Sequence, residues 1–249
     1  MVPWQDSSKR LSLPATVLVA VLSLAASLLV AGCVNVQGYT AVSQVRLIDA
    51  SYNAPAITVS VEGLQLAANA GQGAITLYGA FPPSNNAVVK VTNASNNTTI
   101  ISSNGTLLAG KSQSILVTDI NAEYQVQVLE DQSQAAPSGH SDFRILNQAP
   151  STGPVDVYFL PSTTATAFAN AKPVITDLAV GATSGYVAIP SSTLYMVIVA
   201  TGKTLTTTST TIYISQALPL TGGEVRTVLV VDPLLVTQPV QVYIASDVD

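Results

Sequence analysis

The sequence has little of what chemistry usually requires. Among 249 residues there is one Cys, Cys33, one His, His140, and one Trp, Trp4. A lone Cys excludes an intramolecular disulfide framework and any thiolate metal cluster. A lone His removes most metal sites and general-base designs. Charge is scarce as well: 9% of residues are charged, with 9 Lys and Arg against 14 Asp and Glu, for a net charge of −5. So few basic residues argue against nucleic acid as a partner. Beyond Cys33 there is no apolar stretch of helical length with a 3.6-residue period. What is abundant is apolar: 48% of residues are hydrophobic. At this length that suffices for the core of one large domain or two small ones.

The N-terminus reads as a processing signal. Lys9 and Arg10 precede a run from Leu11 to Ala31 without a charged residue, and Gly32 and Cys33 follow. Leu29-Val30-Ala31-Gly32-Cys33 resembles the bacterial lipobox, in which small residues precede a Cys that receives lipid. That resemblance implies cleavage after Gly32 and lipid attachment at Cys33, so that acyl chains hold the protein on a membrane. Val34 stands where an Asp would favour inner-membrane retention, which points toward the outer membrane or cell surface. Two other readings stay open. The apolar run is long enough to span a bilayer as an uncleaved anchor; alternatively, Cys33 is an incidental free thiol after an ordinary secretory signal.

The rest of the chain reads as β. Strict alternation marks Ile57–Val61, Val88–Thr92, Tyr124–Leu129, Val155–Phe159, Tyr195–Val199 and Val240–Ile244 as half-buried strands. Thr204–Thr208 and Thr211–Ile214 add Thr-rich strand character, and Gly and Pro punctuate the intervals. Leu64–Ala70 is expected to form a turn of helix at most.

An internal repeat organises these strands. Val45-Arg46-Leu47-Ile48 recurs as Phe143-Arg144-Ile145-Leu146, 98 residues later. At the same spacing Ile57, Val59 and Val61 meet Val155, Val157 and Phe159. Leu116-Val117-Thr118-Asp119 corresponds to Leu229-Val230-Val231-Asp232. The pattern predicts an all-β protein of two tandem immunoglobulin-like or transthyretin-like β-sandwich domains, with a single closed barrel as the weaker alternative. The expected organisation is a lipoprotein signal peptide at 1–32, a lipidated tether at 33–43, a first sandwich at 44–131, a linker at 132–141 and a second sandwich at 142–249.

The order of a strand with Arg, a turn with Pro, an alternating strand, a Gly/Tyr segment and a strand ending in Asp resembles the DUF4397 family. Val45–Val61 with Ala109–Asp119, and Phe143–Phe159 with Gly185-Tyr186-Val187, Tyr195–Val199 and Gly222–Asp232, carry the resemblance. It implies tandem bacterial extracellular β-sandwich modules on a lipoprotein, and no reaction. The turn Asp49-Ala50-Ser51-Tyr52-Asn53-Ala54-Pro55 keeps part of the family's early turn, with Asp49 where the family often has His.

No residue pattern reads as catalytic. His140 lies in the expected linker, and no G-x-S-x-G elbow surrounds a Ser. Glu130-Asp131 and Asp247-x-Asp249 are the tightest acidic groups and read as solvated charge, since a Ca²⁺ site needs more oxygen ligands. Arg46 and Arg144, at equivalent places in the repeat, read as structural arginines covering a sheet edge or pairing with Asp49 or Asp156. Tyr78, Tyr158, Tyr186, Tyr195, Tyr213 and Tyr243 are expected to be mainly core rather than a carbohydrate-stacking platform. Ser84-Asn85-Asn86 and 93–105, dense in Asn, Ser and Thr, read as long polar hairpin loops.

The expectation is a non-enzymatic, lipid-anchored envelope protein, structural, adhesive or partner-binding, without catalytic, metal or cofactor site. Its partners are the membrane, through Cys33, and an envelope protein or glycan. A glycan- or small-ligand-binding module, an envelope glycan hydrolase and a surface-fibre subunit are the alternatives.

Overall fold

The computed structural model describes residues 41–120, 123–205, 212–233 and 240–248. The signal segment, Cys33, most of the tether, much of the Thr-rich run before residue 212 and Asp249 lie outside the described residues. No helix among the described residues is long and apolar enough to cross a membrane.

The described chain is β throughout, apart from a five-residue helix. The first half contains β1 (Ser43–Asp49), β2 (Ile57–Val61), β3 (Leu64–Ala70), β4 (Gly79–Phe81), β5 (Ser84–Asn93), β6 (Thr99–Leu107), β7 (Ser112–Thr118) and β8 (Gln125–Glu130). The second half contains β9 (His140–Gln148), β10 (Val155–Leu160), helix α1 (Ala165–Ala169), β11 (Ile175–Leu178), β12 (Val187–Pro190), β13 (Thr193–Ala200), β14 (Ile212–Ile214), β15 (Leu218–Pro219), β16 (Val225–Val231) and β17 (Gln241–Ser246).

Each half folds into two facing sheets with the same connectivity. One sheet runs β4-β1-β7-β8 in the first half and β12-β9-β16-β17 in the second. Its partner runs β3-β2-β5-β6, repeated as β11-β10-β13-β14, with β15 also pairing with β13. In both halves the opening strand pairs in parallel with a strand some 70 or 80 residues later, β1 with β7 and β9 with β16. Among the described residues, four open sheets packed in sandwiches answer the expected fold class, and none closes into a barrel.

The alternation in β2 is the simple kind. Ile57, Val59 and Val61 are fully buried, while Thr58 and Ser60 are half-exposed. In β1, β7, β9 and β16 nearly every residue is buried. These strands use the two-residue period twice, once for each face. Val45, Leu47, Ile115 and Val117 enter the core of the first sandwich with Val59, Val89 and Val91. Phe143, Ile145, Val228 and Val230 enter the second core with Val157, Met196 and Ile198. The other face of the same strands supplies Ile48, Leu116, Leu146, Leu229 and Val231 to a third cluster, which Ile75, Leu129 and Tyr243 complete. The two inner sheets therefore pack against each other, and the described chain is a four-layer stack.

Two local expectations fail. Leu64–Ala70 is strand β3, not helix. Two register irregularities against β2, with Asn69 at a φ of 52°, break its alternation. The polar stretch 93–105 is mostly strand rather than loop. Only residues 94–98 turn, held by Asn93 and Asn96 side chains that accept from Ser95 and Thr98 amides at 2.8 and 3.0 Å. Ser84-Asn85-Asn86 likewise opens β5.

Candidate functional site: a buried ionic seam

Four charged side chains are buried together where the inner sheets meet. They are Arg46 on β1, Arg144 on β9, Asp131 just past β8 and Asp247 just past β17, with relative exposures of 1%, 3%, 3% and 4%. Strand parity puts the arginines there. Val45 and Leu47 fill a core, so the residue between them must face the other inner sheet.

The pairing crosses between the halves, and it is reciprocal. Arg46 Nη2 donates to Asp247 Oδ1 of the second half at 2.5 Å. Arg144 Nη2 donates to Asp131 Oδ1 of the first half at 2.5 Å. Each guanidinium also reaches a carbonyl at the end of the other half's closing strand. Arg46 Nη1 donates to Ser246 O at 2.8 Å, and Arg144 Nη1 donates to Glu130 O at 3.1 Å. Each Nε donates to a hydroxyl on the neighbouring parallel strand, Ser114 for Arg46 at 2.8 Å and Thr227 for Arg144 at 3.2 Å. Those hydroxyls in turn donate to the carboxylates: Ser114 to Asp131 at 2.6 Å, Thr227 to Asp247 at 2.7 Å.

Two tyrosines close the arrangement. Tyr78 lies against the Arg46 guanidinium, 4.8 Å from ring centroid to Cζ, and Tyr186 against Arg144 at 5.0 Å. Their hydroxyls donate to Asp131 and Asp247, each at 2.6 Å. Every residue on one side has its repeat counterpart on the other: Arg46 and Arg144, Tyr78 and Tyr186, Ser114 and Thr227, Asp131 and Asp247.

Two positive and two negative charges cancel inside the seam. Burial works against the charge of Arg46, but the carboxylates of Asp247 and Asp131 outweigh it and hold the pKa above its ordinary value. Burial and the adjacent carboxylates push both tyrosine hydroxyls far upward, so they stay protonated donors. Each carboxylate accepts from an arginine, a tyrosine and a hydroxyl. This is the full satisfaction a buried charge needs.

Several sequence expectations are corrected by this geometry. Asp131 and Asp247 are buried ion-pair partners rather than solvated charge. Neither arginine pairs with Asp49 or Asp156. Asp49 faces the opposite side of β1, and Asp156 accepts from the Asp177 amide and the Thr201 hydroxyl at 2.8 and 3.0 Å. Glu130 does meet solvent, paired with Lys111 at 2.8 Å. His140 opens β9 opposite Pro190, with Nδ1 3.2 Å from Ser138 O. The six tyrosines form no common platform. Tyr78 and Tyr186 line the seam. Tyr213 packs on the second core and Tyr243 on the third cluster. Tyr158 is covered by Phe168 of α1 on the far face of the second outer sheet, and Tyr195 sits across from Leu160. Among the described residues no group of three or more His, Cys, Asp or Glu is placed to hold a metal ion.

Asp49 is a separate buried acid, fully shielded at the end of β1. Its Oδ1 accepts from the Ser51 amide at 3.0 Å and hydroxyl at 2.5 Å, while Oδ2 has no hydrogen-bond partner. Burial raises its pKa from 3.8 to about 6, partly offset by the Ser51 bonds. The repeat places Asn147 at the equivalent position. There the side-chain Nδ2 donates to Gly153 O at 3.0 Å and Leu178 O at 2.8 Å.

The seam was not visible in sequence, since Arg46 and Asp247 lie 201 residues apart. The repeat did carry a signal: the closing strand of each half is followed by Asp at an equivalent place, as each opening strand carries Arg.

Among curated proteins none matches the chain. One solved structure, described under alpha-glucan recognition by family 41 carbohydrate-binding modules from streptococcal virulence factors, aligns with 81% of this chain and 96% of its own. The identity is 14% and the TM-score 0.26. Glucan recognition is a property of those modules. Residues 43–158 match DUF4397, a domain of unknown function. A DUF4397 domain is thus found at residues 43–158, taking in β1 to β9 and the start of β10.

Proposed function

We propose that the chain is a lipid-anchored cell-envelope protein, non-enzymatic, whose two DUF4397-like modules are welded into one body that serves a structural or partner-binding role. The reciprocal ionic seam carries the proposal. The four charged side chains of the seam neutralise one another between the halves, and each already has its partners. A glycan hydrolase would need two carboxylates facing a cleft that admits substrate. Asp131 and Asp247 instead face arginines inside a closed interface. The second half repeats the sheet order of the first, which supports reading it as a second module of the same kind.

The anchor rests on the sequence. Cys33 ends an uncharged run and follows Ala31-Gly32. On this reading the sandwiches sit at the outer membrane or cell surface and meet an envelope protein or glycan there. The test is metabolic labelling with an alkyne fatty acid in a bacterial host. Label is expected on the wild-type chain and absent from Cys33→Ala, which should also leave the membrane fraction. A chain that carries no label, or Cys33→Ala that keeps it, overturns the anchor.

A further inference from the structure

The two halves share a backbone but not a surface where β1 and β9 begin. The Gly110 amide donates to Val42 O at 2.9 Å, and the Gly223 amide donates to His140 O at 2.9 Å. The Gln44 amide donates to Lys111 O at 2.9 Å, and the Asp142 amide to Glu224 O at 2.8 Å. Ser43 stands opposite Phe81, as Ser141 stands opposite Ile189. These bonds put Val42 where the second half has His140, and Pro83 where it has Ser191. Leu108 and Ala109 stand where it has Thr221 and Gly222.

In the first half three short segments meet here: 41–42 before β1, Pro82-Pro83 between β4 and β5, and 108–110 between β6 and β7. A Cβ built on Gly110 would stand 3.6 Å from Ala41 Cβ. Ser84 pairs with Leu107, so Pro83 adjoins Leu108 in the register. Val42 is 42% exposed and Leu108 37%, and Ala41, Pro82 and Ala109 are exposed as well. None of residues 41–43, 81–85 and 107–110 is charged. Lys111, next in sequence, is paired with Glu130 at 2.8 Å. The second half makes the same turns with His140, Ser191, Thr221 and Gly222, so the fold does not require the apolar side chains. An exposed apolar patch on one of two otherwise matched units marks a contact surface.

The length of chain before the patch identifies what covers it. Ala41 is eight residues from Cys33, and eight residues span at most about 28 Å in any conformation. With Cys33 lipidated, a reading on which this inference rests, the described body is attached to the bilayer at this patch. We propose that Ala41, Val42, Pro82, Pro83, Leu108 and Ala109 form a membrane-contact face that rests on the bilayer carrying the anchor and orients the body there. Apolar side chains without an unpaired charge suit the boundary between headgroups and acyl chains. The patch is too small to hold a membrane by itself. The tether keeps it at high effective concentration over the lipid, so a weak contact suffices to orient the body.

Tryptophan quenching tests this on the full chain, made in a bacterial host, extracted from its membranes and reconstituted in phosphatidylcholine–phosphatidylglycerol vesicles. Trp4→Phe in every variant leaves an introduced Trp as the only one. Val42→Trp and Leu108→Trp each place it in the patch. Tyr52→Trp is the control: Tyr52 is 46% exposed and lies past the far end of β1, a seven-residue strand about 23 Å long. Lipids brominated on the upper acyl chain should lower the emission of both patch variants about twofold or more and leave the control unchanged. Adding Val42→Glu to the Leu108→Trp chain should restore the emission, with fatty-acid label and circular dichroism unchanged. Equal emission at all three sites in a chain that carries the label, or quenching that the glutamate leaves in place, overturns the membrane face and leaves the anchor standing. A chain without the label overturns the anchor and this face with it.

Discussion

Asp49→Asn should stabilise the protein, and should do so only where Asp49 would be charged. The carboxyl is fully buried, one oxygen is unpartnered, and its pKa rises from 3.8 to about 6 in the fold. A raised carboxyl pKa means the folded state holds the proton more tightly than the unfolded chain. Its favourable contribution is complete below about pH 4 and is lost as pH rises through about 6. Two units at about 1.4 kcal/mol each make the charged form cost about 3 kcal/mol at neutral pH. Asn147 shows the neutral solution at the equivalent position, where an amide donates to two carbonyls. Guanidinium unfolding of wild type and Asp49→Asn between pH 4 and 7.5 measures the effect. The variant should gain about 3 kcal/mol at pH 7, roughly 6–12 °C in Tm for a domain of this size, and almost nothing at pH 4. Equal pH dependence in the two proteins, or a variant that is less stable at pH 7, would refute the reasoning.

Tyr186→Phe removes the donor to buried Asp247, and Tyr78→Phe the donor to Asp131. Each should cost about 1.5–3 kcal/mol in chemical denaturation, since a hydrogen bond to a charged acceptor is lost without solvent to replace it. Gly73→Ala should destabilise by more than about 2 kcal/mol. Its φ is +83°, and an added Cβ would stand 2.0 Å from the Tyr243 ring. Trimming the ring in Gly73→Ala/Tyr243→Ala should relieve the clash but not the backbone strain, so recovery in thermal melts is partial.

The fold was legible where each strand buries one face. Ile57–Val61 alternates in sequence and in burial, and the repeat shared by Val45–Ile48 and Phe143–Leu146 announced two equivalent units. The inner strands were harder. Arg46 among Val45, Leu47 and Ile48 resembles an arginine at a sheet edge, because one face of a strand is usually wet. Here the second face meets another sheet, and the arginine is neutralised by a carboxylate from the far end of the chain. Asp131 and Asp247 hid for the same reason: acidic residues after a strand usually face water. β6 was misread because Asn, Ser and Gly mark turns far more often than edges, and β3 because its register irregularities erase the alternation.

The central claim is that opposite charges exchanged between the two halves make them one unit. A double-mutant cycle on Arg46→Met and Asp247→Leu, read by equilibrium unfolding, tests it directly. Each single change strands a buried charge and should cost about 3–5 kcal/mol, whereas the double change leaves neither stranded and should cost much less than their sum. The wild type should unfold in one transition. Additive costs, or two separate transitions for the two sandwiches in the wild type, would contradict the account.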